Sequence, residues 1–166
     1  QIDSFFNPPS SSFHDPYLLP DMDKAISRLR KAIQGGETIG IYGDFDVDGV
    51  SATALLVTAF HNMGTKVIPY IPHRIQEGHG PNDKGIMTLA EQGCSIMITV
   101  DCGITSSTEV ALANSLGIHT IITDHHTPLP PLPNAHAVVN AKLPGSLYPF
   151  PHLAGAGLAF KLAQAL

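Results

Sequence analysis

The sequence predicts an α/β domain built on a parallel five-stranded sheet, with helices on both faces of the sheet. Five short apolar runs have the length and composition of buried strands, and helix-like segments that end at glycines alternate with most of them. Three of the runs end directly in carboxylate or imidazole side chains. Alternating strands and helices are typical of parallel sheets, in which sites form just beyond the carboxyl ends of the strands.

The predicted elements follow one another in a regular order. Residues 1–20 are rich in proline and serine, and we expect them to form an irregular arm that packs on the domain through Phe5, Phe6 and Phe13. Within the domain, residues 21–166, strands are expected at 38–42, 66–71, 95–100, 119–123 and 135–140. Helices are expected from 21 to the glycine pair at 35–36, at 49–63, 83–92 and 106–116, and from 153 onward. The 106–116 helix should begin at a capping box of Ser106 and Glu109.

Composition narrows the class of protein. A hydrophobic content of 43% favours a compact domain over disorder. No apolar run approaches the roughly 20 residues of a membrane span, and nothing at the start of the chain resembles an export signal. The two cysteines form neither a disulfide framework nor a CxxC metal site, which favours a reduced, cytoplasmic protein. The net charge of −5 is not typical of a nucleic-acid-binding protein.

Three aspartates follow the first predicted strand within five residues. Asp44, Asp46 and Asp48 stand directly before an apolar helix that Gly49 opens. Like charges so close together repel one another unless a cation neutralises them or their pKa values rise. Two divalent ions at this place would add four positive charges and make the region attractive to phosphate despite the acidic composition.

The third and fourth predicted strands end in further ligand-type residues. Asp101 follows the third strand, and Asp124, His125 and His126 follow the fourth. Carboxylate and imidazole donors without paired thiolates suit Mn²⁺ or Mg²⁺ better than a structural zinc. Two such ions about 3.5–4 Å apart can activate water and clamp a phosphoryl group, and Asp101 is the natural carboxylate to bridge them. In extended backbone the two histidines point to opposite sides, so one is expected to bind metal and the other to contact phosphate or form an ordinary hydrogen bond.

Two other interpretations fit the acidic segment less well. The sequence DFDVDG opens like a calcium loop, but that motif needs a preceding helix and a glutamate at its twelfth position, where Leu55 stands. The second interpretation is a solvated acidic turn that binds no metal. In that case the ligand-type residues that follow the other two strands would be a coincidence.

Four segments together resemble the motifs of a known family. They are DFDVDG at 44–49, Arg74 with EGHG at 77–80, TVDCGI at 99–104, and DHH at 124–126. In order and spacing these segments are similar to the four motifs of the DHH phosphoesterases. The resemblance extends over nearly the whole chain.

The resemblance implies a two-metal enzyme, with Mn²⁺ or Mg²⁺, that degrades single-stranded DNA from its 5′ end in recombination and repair. The implied metal ligands are Asp44 (as a ligand or a supporting carboxylate), Asp46, Asp48, Asp101 and His125. His126, Asp101 and Arg74 are the implied catalytic residues, and Arg74, His79, Gly80 and His126 are the implied substrate contacts. A surface salt bridge is the alternative role for Arg74.

The sequence departs from the family pattern at two positions. His79 stands where the family usually has tyrosine, and Cys102 where it usually has asparagine. We interpret Cys102 as a small packing residue rather than a nucleophile.

The family also supplies a later metal-binding aspartate, a DHH-associated domain and an oligonucleotide-binding domain, which this chain does not contain. The chain is therefore expected to be the leading part of a larger enzyme, with weak metal binding and little or no activity on its own. Two alternatives remain open: a phosphodiesterase of short RNA or cyclic dinucleotides, and a non-catalytic scaffold that binds nucleic acid. The sequence does not indicate an oligomeric state.

Overall fold

A computed structural model describes residues 13–166, so the part of the expected arm at 1–12 lies outside the described residues. A short 3₁₀ turn, Pro16–Leu18, begins where the Asp15 side chain accepts a hydrogen bond from the Tyr17 backbone N–H at 2.9 Å. The Tyr17 hydroxyl donates to the carbonyl of Ala165 at 3.1 Å. This described end of the chain therefore lies against the last helix.

Residues 13–166 form five α-helices and one five-stranded sheet. The helices are α1 (Met22–Gly35), α2 (Val47–Asn62), α3 (Asp83–Glu91), α4 (Ser107–Ser115) and α5 (Gly155–Ala165). The strands are β1 (Thr38–Gly43), β2 (Val67–Tyr70), β3 (Cys94–Val100), β4 (His119–Thr123) and β5 (Ala137–Val139). All strand pairs are parallel, in the order β2-β1-β3-β4-β5, which confirms the predicted fold class.

Helices cover both faces of the sheet, as predicted. Successive strand residues point to opposite faces, so Ile41 packs with α1, α2 and α5 while the neighbouring Tyr42 packs with α3 on the other side. Because both faces are covered, the inner strands are apolar nearly throughout, as in most parallel sheets. None of the helices within 13–166 combines the length and apolar composition that a membrane span requires.

Several element boundaries differ from the predictions for local reasons. Helix α2 begins at Val47, two residues early, because the Asp46 side chain accepts the N–H groups of Asp48 and Gly49 and so caps the helix. Strand β5 is shorter than predicted, and α5 begins at Gly155. The expected capping box does not form: Ser106, with φ −89° and ψ 58°, makes no side-chain hydrogen bond to the start of α4.

The strand order places the acidic segments side by side. From β1 the chain crosses to β2 on one side, and it then returns to β3 on the other side of β1. The connections thus change direction between β1 and β3, which is where α/β sheets open a crevice at their carboxyl ends. Asp44 and Asp46 follow β1, and Asp101 follows β3. The topology therefore brings these carboxylates to one point.

Gly49 allows the first turn of α2 to pack directly on the acidic segment. A Cβ atom at Gly49 would lie 2.5–2.7 Å from backbone atoms of Asp44. We predict that Gly49→Ala lowers the free energy of unfolding by about 1–3 kcal/mol, because this backbone has to move to admit a methyl group. Gly35→Ala is the control, since its Cβ would meet only the Glu37 side chain at 3.8 Å. Urea unfolding measures both, and an equal effect of the two substitutions would contradict the close packing.

Candidate metal centre

Asp46 combines helix capping with exposure to the crevice. Its Oδ1 accepts hydrogen bonds from the backbone N–H groups of Asp48 at 2.9 Å and Gly49 at 3.0 Å. The Gly49 N–H is the largest of the influences that lower the pKa of Asp46, so this carboxylate stays ionised. A metal ion prefers an ionised carboxylate, and the exposed side chain leaves Oδ2 available for one.

Asp44 is buried beside Asp46. Its side chain is 8% exposed, and its Oδ2 lies 3.1 Å from Nδ1 of His79. The other oxygen, Oδ1, is buried and has no hydrogen-bond partner among residues 13–166. An unpartnered buried carboxylate oxygen is costly unless a cation or a proton satisfies it.

Asp101 occupies the centre of the cluster in a strained conformation. Its backbone has φ 62°, in the left-handed region, and its side chain is 2% exposed. Oδ1 lies 3.0 Å from Nε2 of His125, but this contact lacks hydrogen-bond geometry, and the oxygen has no such partner in the described chain. Burial, reinforced by the charges of Asp48 and Asp46, raises the pKa of Asp101 to about 7.

The two histidines after β4 lie on the same side of the backbone, contrary to the sequence argument. Their ring centroids are 4.6 Å apart, and donor atoms of both lie within 4.8 Å of a carboxylate oxygen of Asp101. The alternation rule applies only within a strand, and β4 ends at Thr123, before the histidines. Both rings therefore reach the same carboxylate.

Asp124 orients His126, a role that the sequence argument did not assign. Its Oδ1 accepts the backbone N–H of His126 at 3.0 Å and lies 2.7 Å from Nδ1 of that ring. Its Oδ2 accepts the backbone N–H of Ile104 at 2.9 Å. With Nδ1 engaged in this way, Nε2 is the nitrogen of His126 left for a ligand. The feature of the sequence that could have indicated this role is the position of Asp124 two residues before His126.

Asp48 contacts α5 instead of joining the other aspartates. Its two carboxylate oxygens accept the N–H groups of Gly155 and Ala156, each at 2.7 Å. Its Oδ2 also lies 3.6 Å from Nε2 of His125. Asp48 thus binds the positive end of a helix next to the cluster, and its role as a metal ligand stays a prediction.

Two groups of possible ligands overlap at one residue. Asp44, Asp46 and Asp101 form the first group, and Asp101, His125 and His126 form the second; within each group the donor atoms lie within 4.8 Å of one another. Asp101 belongs to both groups, as expected of a bridging carboxylate. The unpartnered buried oxygens of Asp44 and Asp101 show that these residues fit divalent cations.

The cluster opens into a cavity of about 410 Å³ between the β1 and β3 ends and the start of α4. Asp44, Asp46, Asp101 and His126 line it together with the predicted substrate residues His79 and Gly80. Cys102 also lines the cavity but is buried, and desolvation raises the pKa of its thiol well above the usual value. Such a thiol is a poor nucleophile.

Arg74 lies beside the cavity instead of in its lining. The Cζ atom of its guanidinium is 5.1 Å from the centroid of the Phe45 ring. No carboxylate within residues 13–166 forms a salt bridge with it, so the alternative of a surface ion pair finds no support in this part of the chain.

Fold and site together define a class of protein: a parallel α/β domain with carboxylates and histidines gathered at the direction change of its sheet. Residues 38–166 match the DHH family, N-terminal domain. The chain belongs to the DHH family.

Similar proteins carry more specific names. The single-stranded-DNA-specific exonuclease RecJ of Bacillus subtilis is 44% identical over 98% of this chain and 21% of the relative. A crystal structure of exonuclease RecJ bound to manganese has a TM-score of 0.81 and 37% identity, over 89% of this chain and 37% of that one. RecJ of Thermus thermophilus in complex with Mn²⁺ has a TM-score of 0.77 and 32% identity, over 96% of this chain and 22% of that one. The chain thus spans about a fifth of the length of the Bacillus relative.

The raised pKa of Asp101 predicts a pH-dependent stability of the metal-free chain. The folded state binds this proton more tightly than the unfolded state, so the contribution of Asp101 to stability should fall as pH rises from about 4 to about 7. Asp101→Asn removes the titration, and we expect it to raise the free energy of unfolding above pH 7 by roughly 1–3 kcal/mol. Urea unfolding in EDTA at pH 5 and pH 8 measures the effect.

The exposed Asp23, in the first turn of α1, provides a matched control as Asp23→Asn. Its pH dependence should equal that of the unchanged chain. Identical pH dependence of the chain and of Asp101→Asn would contradict the assigned titration.

Proposed function

We propose that the complete protein hydrolyses phosphodiester bonds of single-stranded DNA from the 5′ end in the cytoplasm, using two divalent ions, Mn²⁺ or Mg²⁺. The observation that carries this proposal is the pair of ligand groups that share Asp101. The similarity to exonucleases named for single-stranded DNA, one of them with manganese bound, supports the choice of substrate and metal.

The aspartates and His125 divide the task of holding the ions. Asp44 and Asp46 offer oxygens on the β1 side, His125 offers a nitrogen on the β4 side, and Asp101 lies between them. When bound, such ions activate water and neutralise charge on a phosphoryl group. Asp48 remains a candidate ligand because a carboxylate oxygen that accepts one N–H keeps a second lone pair.

His126 is the residue best placed to contact the phosphate that reacts. Asp124 fixes the ring through Nδ1, while the ring itself is 59% exposed and lines the cavity. Because Nδ1 faces the Asp124 carboxylate, which only accepts, Nε2 donates a hydrogen bond to a phosphate oxygen or supplies a proton to the leaving group when the ring is doubly protonated, and it does so without reorienting the ring. Such preorganisation is what makes a hydrogen bond effective in catalysis.

Asp101→Ala in the complete protein should abolish Mn²⁺-dependent release of nucleotides, because both ligand groups lose their shared member. The assay compares digestion of a long single-stranded DNA with that of a dinucleotide. Asp23→Ala removes an exposed carboxylate from α1 and should leave the rate unchanged. Full turnover by Asp101→Ala would contradict the shared ligand, and a preference for the dinucleotide would contradict the substrate.

Arg74→Ala should weaken the binding of substrate while metal occupancy stays the same. The guanidinium lies beside the cavity and has no carboxylate partner in the described chain, so its charge is available to a phosphate. We expect KM to rise by about tenfold, from the loss of one charge-assisted contact of roughly 1.5 kcal/mol. Lys31→Ala, an exposed cation on α1, is the control. Loss of bound Mn²⁺ with unchanged KM would contradict the assignment.

A further inference from the structure

Phe45 stands between two candidate metal ligands, and its ring contacts two side chains of the loop that follows β2. The Arg74 guanidinium lies over the ring, with Cζ 5.1 Å from the centroid. The His79 ring packs on it with a centroid separation of 4.3 Å and an interplanar angle of 43°. The three residues form a stack at the rim of the candidate metal centre.

The kind of contact that Arg74 makes leaves its hydrogen-bond donors free. An arginine in an ion pair spends its N–H groups on the carboxylate, whereas a guanidinium that lies over an aromatic ring keeps its in-plane donors for another ligand. Lys84 shows the difference, because it forms an ion pair with Glu77 of the same loop at 2.8 Å. The contact with Phe45 thus positions Arg74 without neutralising its positive charge.

The other end of the loop is attached to the metal centre itself. Nδ1 of His79 lies 3.1 Å from Oδ2 of Asp44 while the same ring packs on Phe45. Between Arg74 and His79, the Glu77 carboxylate accepts hydrogen bonds from the Tyr70 hydroxyl at 2.7 Å and the His73 backbone N–H at 2.6 Å. These contacts hold the loop against β2 and against the carboxylate cluster, although most of the loop is exposed.

We propose that Phe45 is a positioning residue for substrate: its ring holds the Arg74 guanidinium over the rim, where the free donors bind a phosphate of the DNA strand next to the one that reacts. A neighbouring phosphate is the target because Arg74 lies outside the cavity lining that contains Asp101 and His126. This inference rests on the proposed function and adds to it a second phosphate contact, with the residue that organises it.

The test compares Phe45→Leu with Phe45→Tyr in the complete protein. A cation–π contact at an exposed site is worth about 0.5–1 kcal/mol, so Phe45→Leu should raise KM for a single-stranded oligo-dT about two- to fivefold. The affinity for a 5′-phosphorylated oligo-dT in EDTA, measured by fluorescence anisotropy, should fall by a similar factor. Phe45→Tyr keeps an aromatic face and should restore both values. kcat and Mn²⁺ affinity should stay unchanged in both variants.

A double-mutant cycle separates positioning from a general structural effect. In the Arg74→Ala background the ring has no guanidinium to hold, so Phe45→Leu should then change KM by less than twofold. The matched control is Phe150→Leu, which alters a half-exposed phenylalanine in a different cavity and should change neither KM nor oligonucleotide affinity.

The outcomes also separate this inference from the proposed function. Equal KM for Phe45→Leu and the unchanged protein, full additivity with Arg74→Ala, or a fall in Mn²⁺ affinity would each overturn the positioning role. If the unchanged protein does not cleave DNA while its binding in EDTA still depends jointly on Phe45 and Arg74, only the proposed cleavage is overturned.

Discussion

The structure depends on how one fold accommodates several carboxylates gathered at a single edge of a sheet. Asp44, Asp46 and Asp101 lie within a few ångströms of one another, and two of them are almost fully buried. Charges in such a place repel and lose their hydration, so the folded chain has to supply either hydrogen-bond donors or cations. The other features of the site follow from which carboxylates receive hydrogen-bond donors and which are left for cations.

Backbone N–H groups satisfy some of these oxygens and leave others open. Asp46 accepts from the start of α2, Asp48 from the start of α5, and Asp124 from Ile104. Helix starts suit this task because their first N–H groups have no partner within the helix. Among residues 13–166, the buried carboxylate oxygens without a hydrogen-bond partner belong to Asp44 and Asp101. This division distinguishes the oxygens that stabilise the fold from those that fit a cation.

The two departures from the family pattern fit their surroundings. His79, at the usual tyrosine position, reaches Asp44 with Nδ1 and packs on Phe45, two contacts that attach its loop to the candidate metal centre. Cys102, at the usual asparagine position, is buried with its Sγ 3.8 Å from the carbonyl oxygen of Tyr42. The neighbouring Asp101 keeps its position in both ligand groups.

The sequence alone determined the order of strands and helices, because hydrophobic periodicity is a local property. It also determined the parallel sheet and the gathering of Asp44, Asp46, Asp101 and His125, because alternating strands and helices favour parallel pairing, which brings the carboxyl ends of the strands to one edge. Tertiary structure decided the rest. Asp48 meets α5 across more than a hundred residues of chain, and the backbone after β4 brings His126 to the same side as His125. The contact of Arg74 with Phe45 likewise depends on where the loop after β2 folds back. No residue spacing encodes these three outcomes, because each depends on the packing of segments that are distant in sequence or on irregular backbone.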